Sequence, residues 1–360
     1  VEWINVMVVD DSAFMRRAIA TMLEHESDIK VVATARSGEE AITKALQVKP
    51  DVITMDVEMP GMGGLEAVRQ LAAEQGIPII MCSSLTRDGT ETTFRALELG
   101  AVDFIAKPDT AYANITDVAR DLIEKVRAVS HRGAQPAHPI VHDPQPIEEL
   151  RRIAAPPRAA RSRPPLQYDC VAVGSSTGGP VALSRILPML PRSFPLPLLI
   201  VQHMPMGFTR PLADRLNATS KIPVHEAVNG MILEPGTALV VPSGKQVELR
   251  RRRAAQTEVR LVEDGGSSLH VPSVDAMAEQ VAQVYGRGAI GVILTGMGQD
   301  GVRGLRKLKA RGGYVVGQDE ATCVVYGMPR AAAKEGLVDR EAPLDLIASI
   351  LVELAGVAKS

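Results

Sequence analysis

Short apolar runs rich in β-branched residues alternate with amphipathic stretches twice along this chain, on either side of a segment that cannot fold by itself. In the first series the runs are Ile4–Val9, Ile29–Ala35, Val52–Met55, Ile77–Cys82 and Val102–Ala106, and stretches such as Phe14, Ala18, Met22 carry the helical spacing between them. That alternation predicts a five-stranded α/β unit. Between His131 and Gln167 stand eight prolines and six arginines against three acidic residues, too little apolar area to offset chain entropy. From Tyr168 a second series follows, with Val171–Val173, Leu198–Val201, Ala238–Val241, Ile290–Leu294 and Tyr314–Val316. It predicts a second α/β domain, mainly parallel and doubly wound. One antiparallel insertion is expected in it: Val247–Leu249 and Val259–Val262 flank Arg250 to Arg253, read as the exposed tip of a hairpin. The expected organisation is a domain over 1–130, a linker over 131–167 and a domain over 168–360.

A chain of 360 residues, 46% hydrophobic, can supply a core to each domain. Its 40 basic and 42 acidic residues leave a formal charge of −2, which points to neither nucleic acid nor a membrane surface. The arginine run lacks the interleaved aromatics of a single-strand binder. No apolar stretch approaches the roughly 18 residues of a membrane span and no signal segment opens the chain, so a cytoplasmic protein is expected. The three cysteines, Cys82, Cys170 and Cys323, are scattered among apolar neighbours and read as buried thiols.

Chemistry-bearing residues fall at the ends of the predicted strands. Asp10 and Asp11 follow the first run and Asp56 the third, so three carboxylates converge at one sheet edge, where open α/β sheets bind ligands. Their mutual repulsion calls for a hard divalent cation such as Mg²⁺, although Asp11 or Ser12 could also cap a helix. Ser83 and Lys107 end the fourth and fifth runs. In the second domain, Gly174-Ser175-Ser176-Thr177-Gly178 has the G-x-S-x-G spacing that singles out Ser176 as a nucleophile, with Pro180 suited to a first helical turn. A phosphate-binding loop explains that stretch equally well on its own. A serine nucleophile needs a base and an orienting carboxylate. His203 follows the run Leu198–Val201 and Asp300 follows Ile290–Leu294; His225, His270, Asp264 and Asp275 are weaker placements, and His131, His138 and His142 lie in the linker. Gly296-Met297-Gly298-Gln299-Asp300-Gly301 is also a G-x-G-x-x-G, with Asp319 and Glu320 about 20 residues on, so a nucleotide-binding domain is the competing reading.

Two resemblances bear on these readings. Val8-Val9-Asp10-Asp11-Ser12, Met55-Asp56-Val57-Glu58-Met59-Pro60-Gly61 and Asp103-Phe104-Ile105-Ala106-Lys107-Pro108 resemble the receiver domain of two-component response regulators, a flavodoxin-like (βα)5 fold. The resemblance implies that Asp56 accepts a phosphoryl group from a histidine kinase, that Asp10, Asp11 and Asp56 hold Mg²⁺, and that Ser83, Phe104 and Lys107 form the switch. Gly174 to Gly179, Gln202-His203-Met204-Pro205, Pro272-Ser273-Val274-Asp275, Leu294 to Gly301 and Tyr326-Gly327-Met328-Pro329 resemble the protein-glutamate methylesterases of bacterial chemotaxis, the CheB family. This implies Ser176 as nucleophile, His203 as base and Asp300 as its orienting carboxylate, with no cofactor for the esterase step. Backbone N–H groups near Thr177 and Met297 are the expected oxyanion hole. The implied substrates are glutamate methyl esters on methyl-accepting chemotaxis receptors. Some members also deamidate receptor glutamines. The expected protein is a monomer whose receiver covers the esterase cleft until Asp56 is phosphorylated, with no nucleic-acid partner and no membrane insertion. Gln299 and Val271 depart from the family's commoner Asn and Arg.

Overall fold

The computed structural model describes residues 3–84, 86–107, 115–130, 168–252, 256–266 and 268–357. The linker expected over 131–167 lies outside the described residues, as do Pro108 and Arg253.

The first domain alternates β1 (Ile4–Val9), α1 (Ala13–Glu24), β2 (Ile29–Ala35), α2 (Gly38–Val48), β3 (Val52–Asp56), α3 (Gly63–Gln75), β4 (Ile79–Ser83), α4 (Arg87–Glu98), β5 (Asp103–Ala106) and α5 (Ile115–Ser130). Its five strands are parallel in the order β2-β1-β3-β4-β5. Helices cover both faces, which is why the strands read as unbroken apolar runs. Val6, Val8 and Ile80 pack toward Ile19 of α1 and Leu122 of α5, while Met7, Val9 and Ile53 pack toward Leu71 of α3 and Leu97 of α4. Ser12 caps α1, its Oγ accepting from Met15 N at 3.4 Å, which leaves Asp11 out of capping.

The second domain contains β6 (Cys170–Ser175), α6 (Gly179–Ile186), β7 (Leu198–Gln202), α7 (Thr209–Thr219), β8 (Val224–Glu226), β9 (Ala238–Val240), β10 (Gln246–Arg251), β11 (Thr257–Val262), α8 (Val274–Tyr285), β12 (Ala289–Ile293), α9 (Val302–Ala310), β13 (Tyr314–Gln318), α10 (Met328–Lys334), β14 (Arg340–Ala342) and α11 (Leu344–Leu354). Seven strands form a parallel sheet in the order β14-β13-β12-β6-β7-β9-β8. Val171 and Val173 face the side of α6, α7 and α11, and Cys170 and Ala172 the side of α8, α9 and α10. The antiparallel insertion is present as the separate pair β10–β11. Its arginines differ from the expected bare tip: Arg250 and Arg251 are strand residues, and Arg252 Nε donates to Glu258 Oε2 at 2.6 Å. The three cysteines are buried free thiols. No helix among the described residues is long and apolar enough to cross a membrane.

In both sheets the order reverses at a switch point, between β1 and β3 and between β6 and β12. Loops leave such a point in opposite directions and open a crevice at the strand C-termini.

Candidate active site

At the second switch point, β6 delivers two serines with different fates. Ser175 is fully buried and its Oγ donates to Gln202 Oε1 at 2.7 Å, whereas Ser176 is partly exposed to a cavity of about 610 Å³. Two glycines permit this turn. Gly178 sits at φ +78, and a Cβ on Gly179 would stand 1.9 Å from Gln202 Oε1. Gln202, a buried residue that sequence reasoning passed over, also donates through Nε2 to the carbonyls of Ser176 at 2.9 Å and His203 at 2.8 Å. It ties the serine loop to the next strand end; its one sequence signal is a polar residue closing an apolar run.

His203 follows β7, paired in register with β6 so that Ser175 opposes Gln202. Its Nε2 lies 2.9 Å from Asp300 Oδ2. Asp300 also accepts from Val274 N at 2.7 Å, Asp275 N at 2.9 Å and Ser273 Oγ at 2.9 Å, at the start of α8. Burial pushes the carboxyl up, but the His203 bond and charge and these helix N–H donors prevail and hold it down at about 2. An ionised carboxylate only accepts, so Nε2 carries the hydrogen and Nδ1 is left as the basic nitrogen. Ser176, Thr177, His203 and Met297 line the same cavity. Among the described residues no hydrogen bond yet joins Ser176 Oγ to the imidazole. His270, ranked low from sequence, stacks on His203 with ring centroids 4.2 Å apart. His225 lies in β8 at the far edge of the sheet and does not line this cavity.

The glycine run after β12 is spoken for. The N–H groups that a pyrophosphate would need are taken, Gly296 N donating to Val325 O at 3.0 Å and Gly301 N to Asp275 Oδ1 at 3.0 Å, and the Asp319 carboxylate caps the turn at Thr322. With those donors and the acidic residue engaged inside the domain, the geometry does not favour the competing nucleotide-binding reading.

The cavity's other wall comes from the first domain, with Asp117, Asp121, Glu124 and Lys125 of α5 facing it. Phe104 of β5 reaches across to Phe208, ring centroids 4.6 Å apart. Lys125 Nζ donates to the Phe104 carbonyl at 2.6 Å, and Arg215 Nε of α7 donates to Glu98 Oε1 of α4 at 3.0 Å.

At the first switch point, Asp10, Asp11 and Asp56 bring carboxylate oxygens within 4.8 Å of one another. Lys107 Nζ lies 2.8 Å from Asp56 Oδ1 and 3.3 Å from Asp10 Oδ2. Burial, opposed by Lys107 and assisted by the Asp10 charge, pushes Asp56 up to about 6. Among the described residues Asp56 Oδ2 and Asp10 Oδ2 are buried without a hydrogen-bond partner, and an all-oxygen, anionic donor set with two such oxygens fits a hard cation. The Ser83 hydroxyl is turned toward α4, donating to Gly89 O at 3.2 Å and accepting from Thr93 Oγ1 at 2.6 Å.

A family model described as CheB methylesterase matches residues 171–351, and one described as a response regulator receiver domain matches residues 6–118. A protein-glutamate methylesterase/protein-glutamine glutaminase 2 of Nitratidesulfovibrio vulgaris is 45% identical, covering 97% of this chain and 98% of that one. A protein of the same activity name from Archaeoglobus fulgidus is 40% identical, with 97% of each chain covered. The crystal structure of the Thermotoga maritima CheB methylesterase catalytic domain aligns with a TM-score of 0.51 and 40% identity, over 52% of this chain and 99% of that one.

Proposed function

The chain belongs to the CheB methylesterase family, and from that premise we propose how its residues hydrolyse the γ-methyl esters of chemotaxis-receptor glutamates under control of a phosphorylated receiver. The receiver is assigned to 1–130, the linker to 131–167 and the esterase to 168–360. Ser176 Oγ attacks the ester carbonyl carbon as its proton passes to His203 Nδ1. Asp300 stabilises the imidazolium that results, its charge already held in place by the start of α8. The carbonyl oxygen becomes an oxyanion, for which the backbone N–H groups of Thr177 and Met297 are the assigned donors. The tetrahedral intermediate collapses, the C–O bond to the methoxy group breaks, and His203 returns the proton so that methanol leaves. Water then attacks the acyl-enzyme with His203 again as base, giving the glutamate carboxylate and free Ser176. With an amide in place of the ester the same steps release ammonia, and we extend the reading to receptor glutamines.

In the receiver, Asp56 is the assigned phosphoryl acceptor, with a chemotaxis histidine kinase as donor. Asp10, Asp11 and Asp56 would hold Mg²⁺, whose charge offsets that of the phosphoryl oxygens. Lys107, 2.8 Å from Asp56 Oδ1, offsets its charge, and Ser83 and Phe104 are the assigned switch residues.

The observation that carries the esterase reading is that His203, held by Asp300 at 2.9 Å, lines the same cavity as Ser176. Methanol release from methylated receptor membranes tests it. Ser176→Ala is expected to abolish release while the protein keeps its melting temperature, and near-normal turnover in that variant would remove Ser176 from the reaction.

A further inference from the structure

The imidazoles of His203 and His270 lie nearly face to face, centroids 4.2 Å apart and planes 20° apart, and both border the cavity of Ser176. The stack is braced from the hairpin. Gln246 of β10, 6% exposed, donates through Nε2 to the His270 carbonyl at 3.1 Å and to Asp264 Oδ1 at 2.9 Å, and its Oε1 accepts from Ser273 N at 2.9 Å. Ser273 in turn donates its hydroxyl to Asp300. One buried amide therefore holds the backbone on both sides of the bend, at His270, whose ring covers His203, and at Ser273, whose hydroxyl holds its carboxylate. Burial first, and then the His203 charge, push His270 down to about 4, so near neutrality it adds no second positive charge beside a protonated base.

A histidine tethered to a carboxylate by one nitrogen still has a broad, roughly two-fold terminal torsion. A ring packed on its face removes that freedom, and the tether then defines where the other nitrogen points. Resting on the reading of His203 as the base, we propose that His270 is a positioning residue for the esterase: braced by Gln246, its ring holds the His203 imidazole with Nε2 on Asp300 and Nδ1 available to Ser176. The antiparallel pair β10–β11, outside the main sheet, thereby acquires a function as the strut of the catalytic base.

The experiment measures methanol release by the full-length protein, with a small phosphodonor and Mg²⁺, from methylated receptor membranes. An aromatic contact of this kind contributes about 0.5–1.5 kcal/mol, so His270→Ala is expected to lower kcat roughly 2- to 13-fold with KM changed less than about twofold. His270→Phe, which keeps a flat ring but no titratable nitrogen, is expected to recover most of that loss. A kcat for His270→Ala within about twofold of the parent overturns the proposal, as does a His270→Phe protein that folds with the parent's melting temperature yet is as slow as His270→Ala. His203→Ala separates the two levels: if it turns over normally the base assignment itself falls, whereas its loss of activity beside a normal His270→Ala overturns only the role of His270.

Discussion

Asp300 holds the His203 imidazole and the start of α8 with one carboxylate. Oδ2 receives His203 Nε2 and Val274 N, and Oδ1 receives Ser273 Oγ and Asp275 N, so the helix that it starts also keeps it ionised. Asp300→Asn replaces one acceptor by a donor aimed at N–H groups, and it removes the charge that favours the imidazolium. The expected loss in kcat is on the order of 10³- to 10⁴-fold, read by methanol release. Stability should respond as well, because the carboxyl is lowered from 3.8 to about 2 and its side chain is only 9% exposed. A depressed acid contributes fully above its unfolded value and loses that contribution as pH falls from 3.8 through about 2. The parent should therefore lose ~2 kcal/mol over that window that Asp300→Asn never had, a difference visible in denaturant midpoints at pH 7 and pH 2. At this scale the strand-end polar residues were legible, since Ser176, His203 and Asp300 each follow an apolar run. Gln202 and His270 were not, because their importance lies in contacts with residues 27 and 67 positions away along the chain.

Between elements, α8 and α9 cap each other. Asp300, just ahead of α9, accepts from the first N–H groups of α8, while Asp275 in the first turn of α8 accepts from Gly301 N at 3.0 Å and Gly304 N at 2.8 Å. The helices approach closely enough that a Cβ on Gly304 would stand 2.5 Å from Asp275 O. Asp275→Ala leaves two N–H groups at the start of α9 without a partner, at a cost of about 1–2 kcal/mol. For a domain of this size that is a fall of roughly 2–8 °C in melting temperature. Asp275→Asn, which keeps an acceptor oxygen, should lose clearly less. An unchanged melting temperature in Asp275→Ala would deny the reciprocal cap its weight. The long buried strands were readable as apolar runs, β1 and β2 to the residue. The strands β8 and β14 were not, being three residues each with charged members, Val-His-Glu and Arg-Glu-Ala; edge pairing on β9 and β13 makes them strands.

In the whole molecule, a short path crosses the domain boundary from Asp56 to the loop that carries His203. Lys107, paired with Asp56, directly follows β5, whose Phe104 packs on Phe208, and Phe208 closes the loop that begins at His203. Val324 of the esterase lies in one apolar cluster with Val118 and Leu122 of α5, the helix that walls the substrate cavity. Coupling follows where the docked arrangement is one of two states that both sites bias. The Glu98–Arg215 pair offers a direct test, since it joins α4 to α7 away from both sites and is partly solvent-exposed. A pair of that kind contributes up to about 1 kcal/mol, so breaking it should raise unphosphorylated esterase activity by about two- to fivefold if the docked receiver restrains the enzyme. Glu98→Arg and Arg215→Glu should each show that rise in methanol release without phosphodonor, and the double reversal should return activity toward the parent's because the pair re-forms with opposite polarity. Single variants as slow as the parent would mean that docking across this face does not limit access to Ser176.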